Sequence, residues 1–135
     1  MADCIFCKIA AKEIPATVVY EDQLVLAFKD LEPQAPFHAL VIPKKHIESV
    51  GTLTPEDKEL AGHIMCEVIP AIAKENKLDN GFRVVANTGE DGGQTVKHLH
   101  FHVLGGRIES SCTHDPLAQD RVSHISCSVL LRWKE

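Results

Sequence analysis

Three histidines alternate with apolar residues over residues 98–102, which read His-Leu-His-Phe-His. On an extended strand, successive side chains point to opposite faces of the sheet. His98, His100 and His102 are therefore predicted to share one face, while the apolar residues between them enter a core. Neighbouring imidazoles compete for protons and hydrogen-bond partners, so three of them on one face destabilise the fold. Such a set is therefore expected where the imidazoles have a chemical role. The pattern predicts a strand with the histidines on one face and apolar core residues on the other.

A glycine-rich loop precedes this strand, at residues 87–95 (NTGEDGGQT). Glycine tolerates positive φ, and such a loop exposes backbone N–H groups that suit an oxyanion or a phosphate. For phosphoryl chemistry, His100 is the natural nucleophile, because a histidine flanks it on each side of the same face. Two alternatives stay open: a metal site, since histidines two apart on a strand are good ligands, and a set of structural histidines.

Composition limits the class of protein. The chain has 135 residues, enough for one domain, and a net charge of −5, so it lacks the electrostatic footprint of a nucleic-acid-binding protein. Neither a signal peptide nor an apolar run near the ~20 residues of a membrane span is evident, so we expect a cytoplasmic protein. Five cysteines include the pair Cys4-x-x-Cys7, which favours a metal or redox role over a disulfide framework.

Apolar periodicity and turn residues predict an antiparallel α+β domain with one long helix on one face of the sheet. A short turn or helix carries the two N-terminal cysteines. Besides the histidine strand, four strands are expected, at residues 18–20, 24–28, 38–42 and 82–86. The long helix is predicted over residues 54–77, with Thr54 as its N-cap and Pro55 at the first helical position. Pro70 should kink this helix, because proline lacks the N–H that the helical ladder needs.

The residues His-Leu-His-Phe-His-Val-Leu at 98–104 match the His-φ-His-φ-His-φ-φ signature of the histidine-triad (HIT) family, in which φ is apolar. The chain resembles the Hint branch of that family, the purine nucleoside phosphoramidases, in its bacterial type with Cys-x-x-Cys. The resemblance runs from Asp3 to Arg107. Its other matching pieces lie at residues 4–9, 27–31, 33–36, 40–46 and 91–95.

The resemblance implies a HIT-like fold, with a five-stranded antiparallel sheet, one long helix and a short N-terminal helix, over residues 1–107. It also implies a homodimer in which two sheets join through the long helix and the strand that begins at Phe82. Residues 108–135 lie beyond the resemblance as an atypical C-terminal extension, and their polar part is expected to be flexible. The two cysteines and two histidines of this extension follow no common metal motif.

The activity implied by the resemblance is hydrolysis of purine nucleoside phosphoramidates to a nucleoside monophosphate. His100 would form a covalent nucleotidyl-histidine, and His102 would contact the phosphate and protonate the departing amine. Two other readings are a dinucleoside polyphosphate hydrolase of another HIT branch and a zinc-stabilised nucleotide-binding module with little turnover. The intact histidines argue against the second of these.

The resemblance also assigns substrate-binding positions. Asp30 would bind the ribose hydroxyls, and Phe28 and Leu31, with Ile5 and Phe6, would line the base pocket. The phosphate would be held by loop residues, namely Asn87, Gly93, Gln94 and Thr95. From the residues alone, Phe28 and Phe6 are equally compatible with an ordinary core, and Asp30 could cap the loop that follows it.

Cys4 and Cys7 form, with His46 and His98, a Cys2His2 set of the closed tetrahedral type that binds structural zinc. Bacterial-type relatives carry zinc on these positions, so the resemblance implies a zinc ion that removes His98 from catalysis. The alternative is a reduced cysteine pair packed in the core. His38, at the start of a predicted strand, is expected to be structural.

Overall fold

Five antiparallel strands form one sheet in the computed structural model of the protein, which describes residues 4–106. The strands are β1 (Val18–Glu21), β2 (Val25–Lys29), β3 (Phe37–Pro43), β4 (Phe82–Val85) and β5 (Phe101–Gly105). They lie in the order β1-β2-β3-β5-β4, and each neighbouring pair is antiparallel. The predicted α+β class and five-stranded sheet are confirmed. The predicted extension at residues 108–135 lies outside the described residues.

The two faces of the sheet are covered by different helices. The alternation of β2 sends Val25 and Ala27 to the core beneath a long helix at residues 55–75. Leu26 and Phe28 point the other way and pack against Phe6 of the short N-terminal helix α1 (Ile5–Ala10). Each face of the central strands is therefore buried, and α1 covers the face that carries the histidines.

The histidine strand begins later than the sequence predicts. β5 starts at Phe101, so His98 and His100 precede it. The reason lies in the backbone, because Leu99 N–H donates to the carbonyl of Ile47 at 2.6 Å, outside the ladder with β3. The predicted alternation nevertheless holds, since Leu99 packs in the same core as Phe101 while the two histidines face the other side.

The long helix begins as predicted, because the Thr54 hydroxyl accepts the Glu56 N–H at 3.2 Å. It runs over residues 55–75 and contains α2 (Lys58–His63) and α3 (Ile69–Glu75). Between them, the disturbance expected from Pro70 takes the form of a π-helical turn at Ile64–Val68. Within residues 4–106, no helix is long and apolar enough to cross a membrane.

Candidate active site and metal centre

The three histidines lie together beneath α1, as their alternation predicts. The rings of His100 and His102 meet edge to face with centroids 5.0 Å apart. Phe6 of α1 packs edge-on against His100 at 5.1 Å and against His98 at 6.0 Å. All three histidines are buried. Since a buried imidazole needs partners for both ring nitrogens, their hydrogen bonds define their protonation.

His100 is held in one tautomer by the main chain. Its Nδ1 lies 2.6 Å from the carbonyl oxygen of His98, and because a carbonyl only accepts, Nδ1 carries the proton. Burial lowers the pKa of His100, which keeps the ring neutral at physiological pH. Nε2 of His100 therefore keeps a free lone pair, which is what a nucleophile requires.

His102 is held in the opposite tautomer through His38. The Gln34 N–H donates to His38 Nδ1 at 3.0 Å, so the proton of neutral His38 is on Nε2. This Nε2–H faces His102 Nδ1 at 3.0 Å, so His102 Nδ1 accepts and its Nε2 carries the proton. Burial, aided by the nearby His100 and His38, lowers the pKa of His102 to about 3. The pair thus offers a lone pair on His100 and an N–H on His102.

His38 is the site residue that sequence reasoning missed, since it was expected to be structural. Burial lowers its pKa, so it stays neutral, and it lies in β3 beside the strand of His102. The available signal was a histidine inside a strand already predicted to be central. Asp30 Oδ2 lies 3.4 Å from His38 Nε2, while its Oδ1 accepts the Glu32 N–H at 2.9 Å. Asp30 therefore caps its loop and also borders the histidine pair.

Asp30, His38 and His102 are near enough to one another to hold a metal ion by distance alone. The tautomers argue against this. To bind a metal through Nε2, His38 would need its proton on Nδ1, where the Gln34 N–H already points. A hydrogen-bonded network accounts for the same distances without that conflict.

Cys4, Cys7, His46 and His98 form a second cluster, whose ligand atoms all lie within 4.8 Å of one another. Cys7 Sγ is 3.2 Å from His46 Nδ1, and Cys4 Sγ is 3.3 Å from His98 Nδ1. His98 Nε2–H donates to the Pro43 carbonyl at 2.9 Å, which leaves the Nδ1 lone pair facing the sulfur atoms. Burial lowers the pKa of His98 and raises that of the Cys7 thiol. The residues fit a tetrahedral metal ion with two sulfur and two nitrogen ligands.

The glycine-rich loop closes on itself, because the Gln94 N–H donates to the Gly89 carbonyl at 3.0 Å. Gly89 and Gly93 have φ of +68° and +78°, the left-handed region that glycine tolerates best. A side chain at Gly92 would meet the Thr88 carbonyl oxygen at 2.5 Å, so this turn requires glycine. Asn87 is buried, and its Oδ1 has no hydrogen-bond partner among the described residues. A buried polar atom without a partner marks a position where a ligand would be favoured.

The side chain of Gln94, which is predicted to contact substrate, makes three hydrogen bonds within the protein. Its Nε2 donates to the carbonyls of Glu48 and Val96 at 2.7 and 2.9 Å, and its Oε1 accepts the Gly89 N–H at 2.9 Å. These bonds use its amide within the protein. Gln94 thus braces the loop, whereas Thr95 beside it is exposed.

The predicted base-pocket residues are not brought together as a closed pocket. Phe28 is buried in the core beneath α1, with its ring 5.6 Å from that of Phe6. Leu31 is 94% exposed, and Ile5 is also exposed. Phe6 and Phe28 therefore pack against each other beneath α1, and Leu31 lies at the surface.

Comparisons with known proteins agree with this geometry. Residues 3–116 match a family model described as scavenger mRNA decapping enzyme C-term binding. Protein HitA of Neisseria gonorrhoeae is 53% identical over 105 residues, which cover 78% of this chain and 97% of that protein. A histidine triad protein from Clostridium difficile superposes with a TM-score of 0.76 and 56% identity over 79% of this chain and 93% of that one. A HIT family hydrolase from Legionella pneumophila has a TM-score of 0.76 and 49% identity over 78% and 94% of the two chains.

The sheet, the histidine cluster and these relatives together define a histidine-triad protein. The chain belongs to the HIT family.

The contrast between Gln94 and Thr95 is testable. Gln94→Ala is expected to lower the free energy of unfolding by about 1–3 kcal/mol, because buried backbone groups lose their partners. The exposed neighbour Thr95 gives a matched control, and Thr95→Ala should change the free energy of unfolding by less than about 0.5 kcal/mol. Urea denaturation measures both. Equal effects would contradict the bracing role of Gln94.

Proposed function

We propose that the protein hydrolyses purine nucleoside phosphoramidates through a nucleotidyl-histidine, as in the Hint branch. The observation that carries the proposal is the hydrogen bond from His100 Nδ1 to the His98 carbonyl, which frees Nε2 beside the N–H of His102. A nucleophile and a proton donor in fixed, opposite tautomers suit displacement of an amine from phosphorus. The relative from Legionella pneumophila is described as a hydrolase, which supports the reaction class.

In the first step, His100 Nε2 attacks the α-phosphorus in line with the leaving amine. The P–N bond breaks as the N–Pα bond forms, and the departing nitrogen takes the proton from His102 Nε2. The His98 carbonyl stabilises the phosphorylated imidazole, because Nδ1–H becomes a stronger donor when the ring is cationic. Water then attacks phosphorus and gives a proton to His102 Nε2, and the bond between His100 Nε2 and phosphorus breaks to release the nucleoside monophosphate.

Substrate binding follows the assignments made from the resemblance, with one change. Asp30 would accept from the ribose hydroxyls at the edge of the histidine pair, and Phe28 and Leu31 would border the base. The phosphate oxygens would contact Asn87, Gly93 and Thr95, while a fourth loop residue, Gln94, acts by holding the loop in shape. The unpartnered amide oxygen of Asn87 supports a ligand at this point.

The metal centre is proposed to hold one structural zinc ion on Cys4, Cys7, His46 and His98. Zinc would add a rigid cross-link between α1 and the sheet, and it would keep the His98 ring out of the reaction. The lone pair of His98 Nδ1, which faces the sulfur atoms, supports this role. We also propose a cytoplasmic location, where reduced thiols persist.

The nucleophile is tested by trapping. Wild-type protein mixed with a labelled adenosine phosphoramidate and quenched in base should carry the label on His100. His100→Ala should carry none and should lose at least about a thousandfold in kcat, because His98 and His102 both carry their proton on Nε2 and offer no free lone pair there. His63→Gln, on the long helix away from the site, serves as the control and should remain near wild type. Label retained by His100→Ala would overturn the assignment.

The leaving group separates the proposal from the two other readings. Adenosine lysyl-phosphoramidate should be hydrolysed in preference to a diadenosine polyphosphate, for which the other HIT branch is specialised. A protein that binds both nucleotides without forming the covalent adduct would instead be the zinc-stabilised binding module.

Zinc is tested by elemental analysis. The purified protein is expected to contain about one equivalent, and Cys7→Ser should lower both the zinc content and the thermal midpoint, since bound zinc contributes to folding. Cys66→Ser, in the exposed cysteine of the long helix, is the matched control. Zinc well below one equivalent in protein prepared without chelator would reject the site.

A homodimer is proposed through the long helix and β4. β4 is an edge strand, Phe82 on it is 39% exposed, and Met65 on the helix is 46% exposed. Large apolar side chains on an open edge favour association with a second copy.

Phe82→Arg should convert this dimer to a monomer in sedimentation experiments. Val18→Arg should leave it intact, because Val18 is 42% exposed on β1 at the opposite edge of the sheet. A monomeric wild-type protein at micromolar concentration would contradict the proposal.

A further inference from the structure

The start of α1, which carries Cys4 and Cys7, also carries the residue that packs against the His100 ring. Phe6 lies between Cys4 and Cys7 and is buried. Its ring packs edge-on against His100 at 5.1 Å with the planes at 86°. A displacement of the Cys4–Cys7 turn therefore changes the packing of His100 directly.

A second path joins the same thiols to the same histidine. The ring of His98 faces Cys4 Sγ at 3.3 Å and Cys7 Sγ at 3.5 Å through Nδ1. The main-chain carbonyl of His98 accepts the proton of His100 Nδ1. Phe6 thus fixes the position of the His100 ring, and the tautomer that the His98 carbonyl imposes depends on the ring staying in that position.

We propose that Phe6 is a positioning residue for His100 and that, through Phe6 and His98, the thiol state of Cys4 and Cys7 controls nucleotidyl transfer. When Cys4 and Cys7 are reduced and metal-bound, the Cys4–Cys7 turn keeps the His100 ring in the position for nucleophilic attack. When they form a disulfide, the turn moves and the His100 ring loses that position. The inference rests on the proposed function for its effect on rate, but the link from the thiols to the His100 ring is independent of any substrate.

The oxidant is a hydroperoxide, and the step balances. The two thiolates lose two electrons, a bond forms between Cys4 Sγ and Cys7 Sγ, and the O–O bond of the peroxide breaks. With two protons from solvent, hydrogen peroxide leaves as two waters. A metal ion held by Cys4, Cys7, His46 and His98 would be released as a dication, because a disulfide has no anionic sulfur to bind it.

The geometry explains why this change would reach His100. Cys4 and Cys7 are free thiols whose sulfur atoms lie within 4.8 Å of each other, and a disulfide needs about 2.05 Å, so at least one sulfur must leave its place beside the histidines. Cys4 Sγ also accepts the Cys7 N–H at 3.3 Å and so caps α1. Since α1 is only six residues long, with Phe6 and Ile9 as its buried side chains, loss of this cap shifts Phe6.

The thiol switch is tested in full-length protein carrying Cys66→Ser, Cys112→Ser and Cys127→Ser, so that only Cys4 and Cys7 can react. Hydrogen peroxide should remove two thiols, release about one equivalent of metal to a chromophoric chelator and slow single-turnover nucleotidyl transfer by about tenfold or more. A dithiol reductant with added zinc should restore the two thiols, the bound metal and the rate of nucleotidyl transfer. A disulfide and metal release that leave the rate within about twofold would overturn the proposal.

Phe6 itself is tested by Phe6→Leu, with Ile9→Val on the same face of α1 as the control. Long-range proton–nitrogen spectra of the histidine rings, recorded without substrate, should show one Nδ1–H tautomer for His100 in wild type and Ile9→Val, and a mixture in Phe6→Leu. Nucleotidyl transfer at saturating substrate should fall in kcat for Phe6→Leu, not only in KM as for loss of a base contact. An unchanged His100 tautomer in Phe6→Leu would overturn the positioning role. Failure of the proposed function is a different result, in which wild type, Ile9→Val and Phe6→Leu all lack nucleotidyl transfer.

Discussion

The site depends on His98, whose two ring nitrogens and backbone carbonyl each bind a different partner. Its ring donates from Nε2 to the Pro43 carbonyl and turns Nδ1 toward two sulfur atoms, while its own carbonyl accepts the proton of His100. Each group therefore serves a different part of the molecule. Because a backbone carbonyl has no second protonation state, the tautomer of His100 is fixed without another ionisable group.

The same principle sets the other half of the site. A backbone N–H of Gln34 decides the tautomer of His38, and His38 in turn decides that of His102. Two main-chain groups thus give two adjacent imidazoles opposite roles. Burial lowers the pKa values of His38, His100 and His102, so the arrangement operates on neutral rings.

Much of the fold followed from local pattern. The period-two alternation of the central strands and the apolar stripe of the long helix are properties of adjacent residues, and both faces appear where expected. The start of β5 was wrong because it depends on Leu99 N–H binding the carbonyl of Ile47, a partner that no local pattern specifies. The bond from Gln94 Nε2 to the Glu48 carbonyl was not foreseen for a related reason, since Glu48 lies 46 residues away along the chain.

The sequence by itself determined that three imidazoles share one face, that a glycine loop precedes them and that two thiols accompany two further histidines. These features depend on residue type and spacing, which chain connectivity preserves. Only the tertiary structure decided which ring nitrogen carries each proton, that His38 joins the site and that Phe6 lies between the thiols and His100. Those outcomes depend on hydrogen-bond partners and packing across distant segments, and such contacts exist only once the sheet and α1 have assembled.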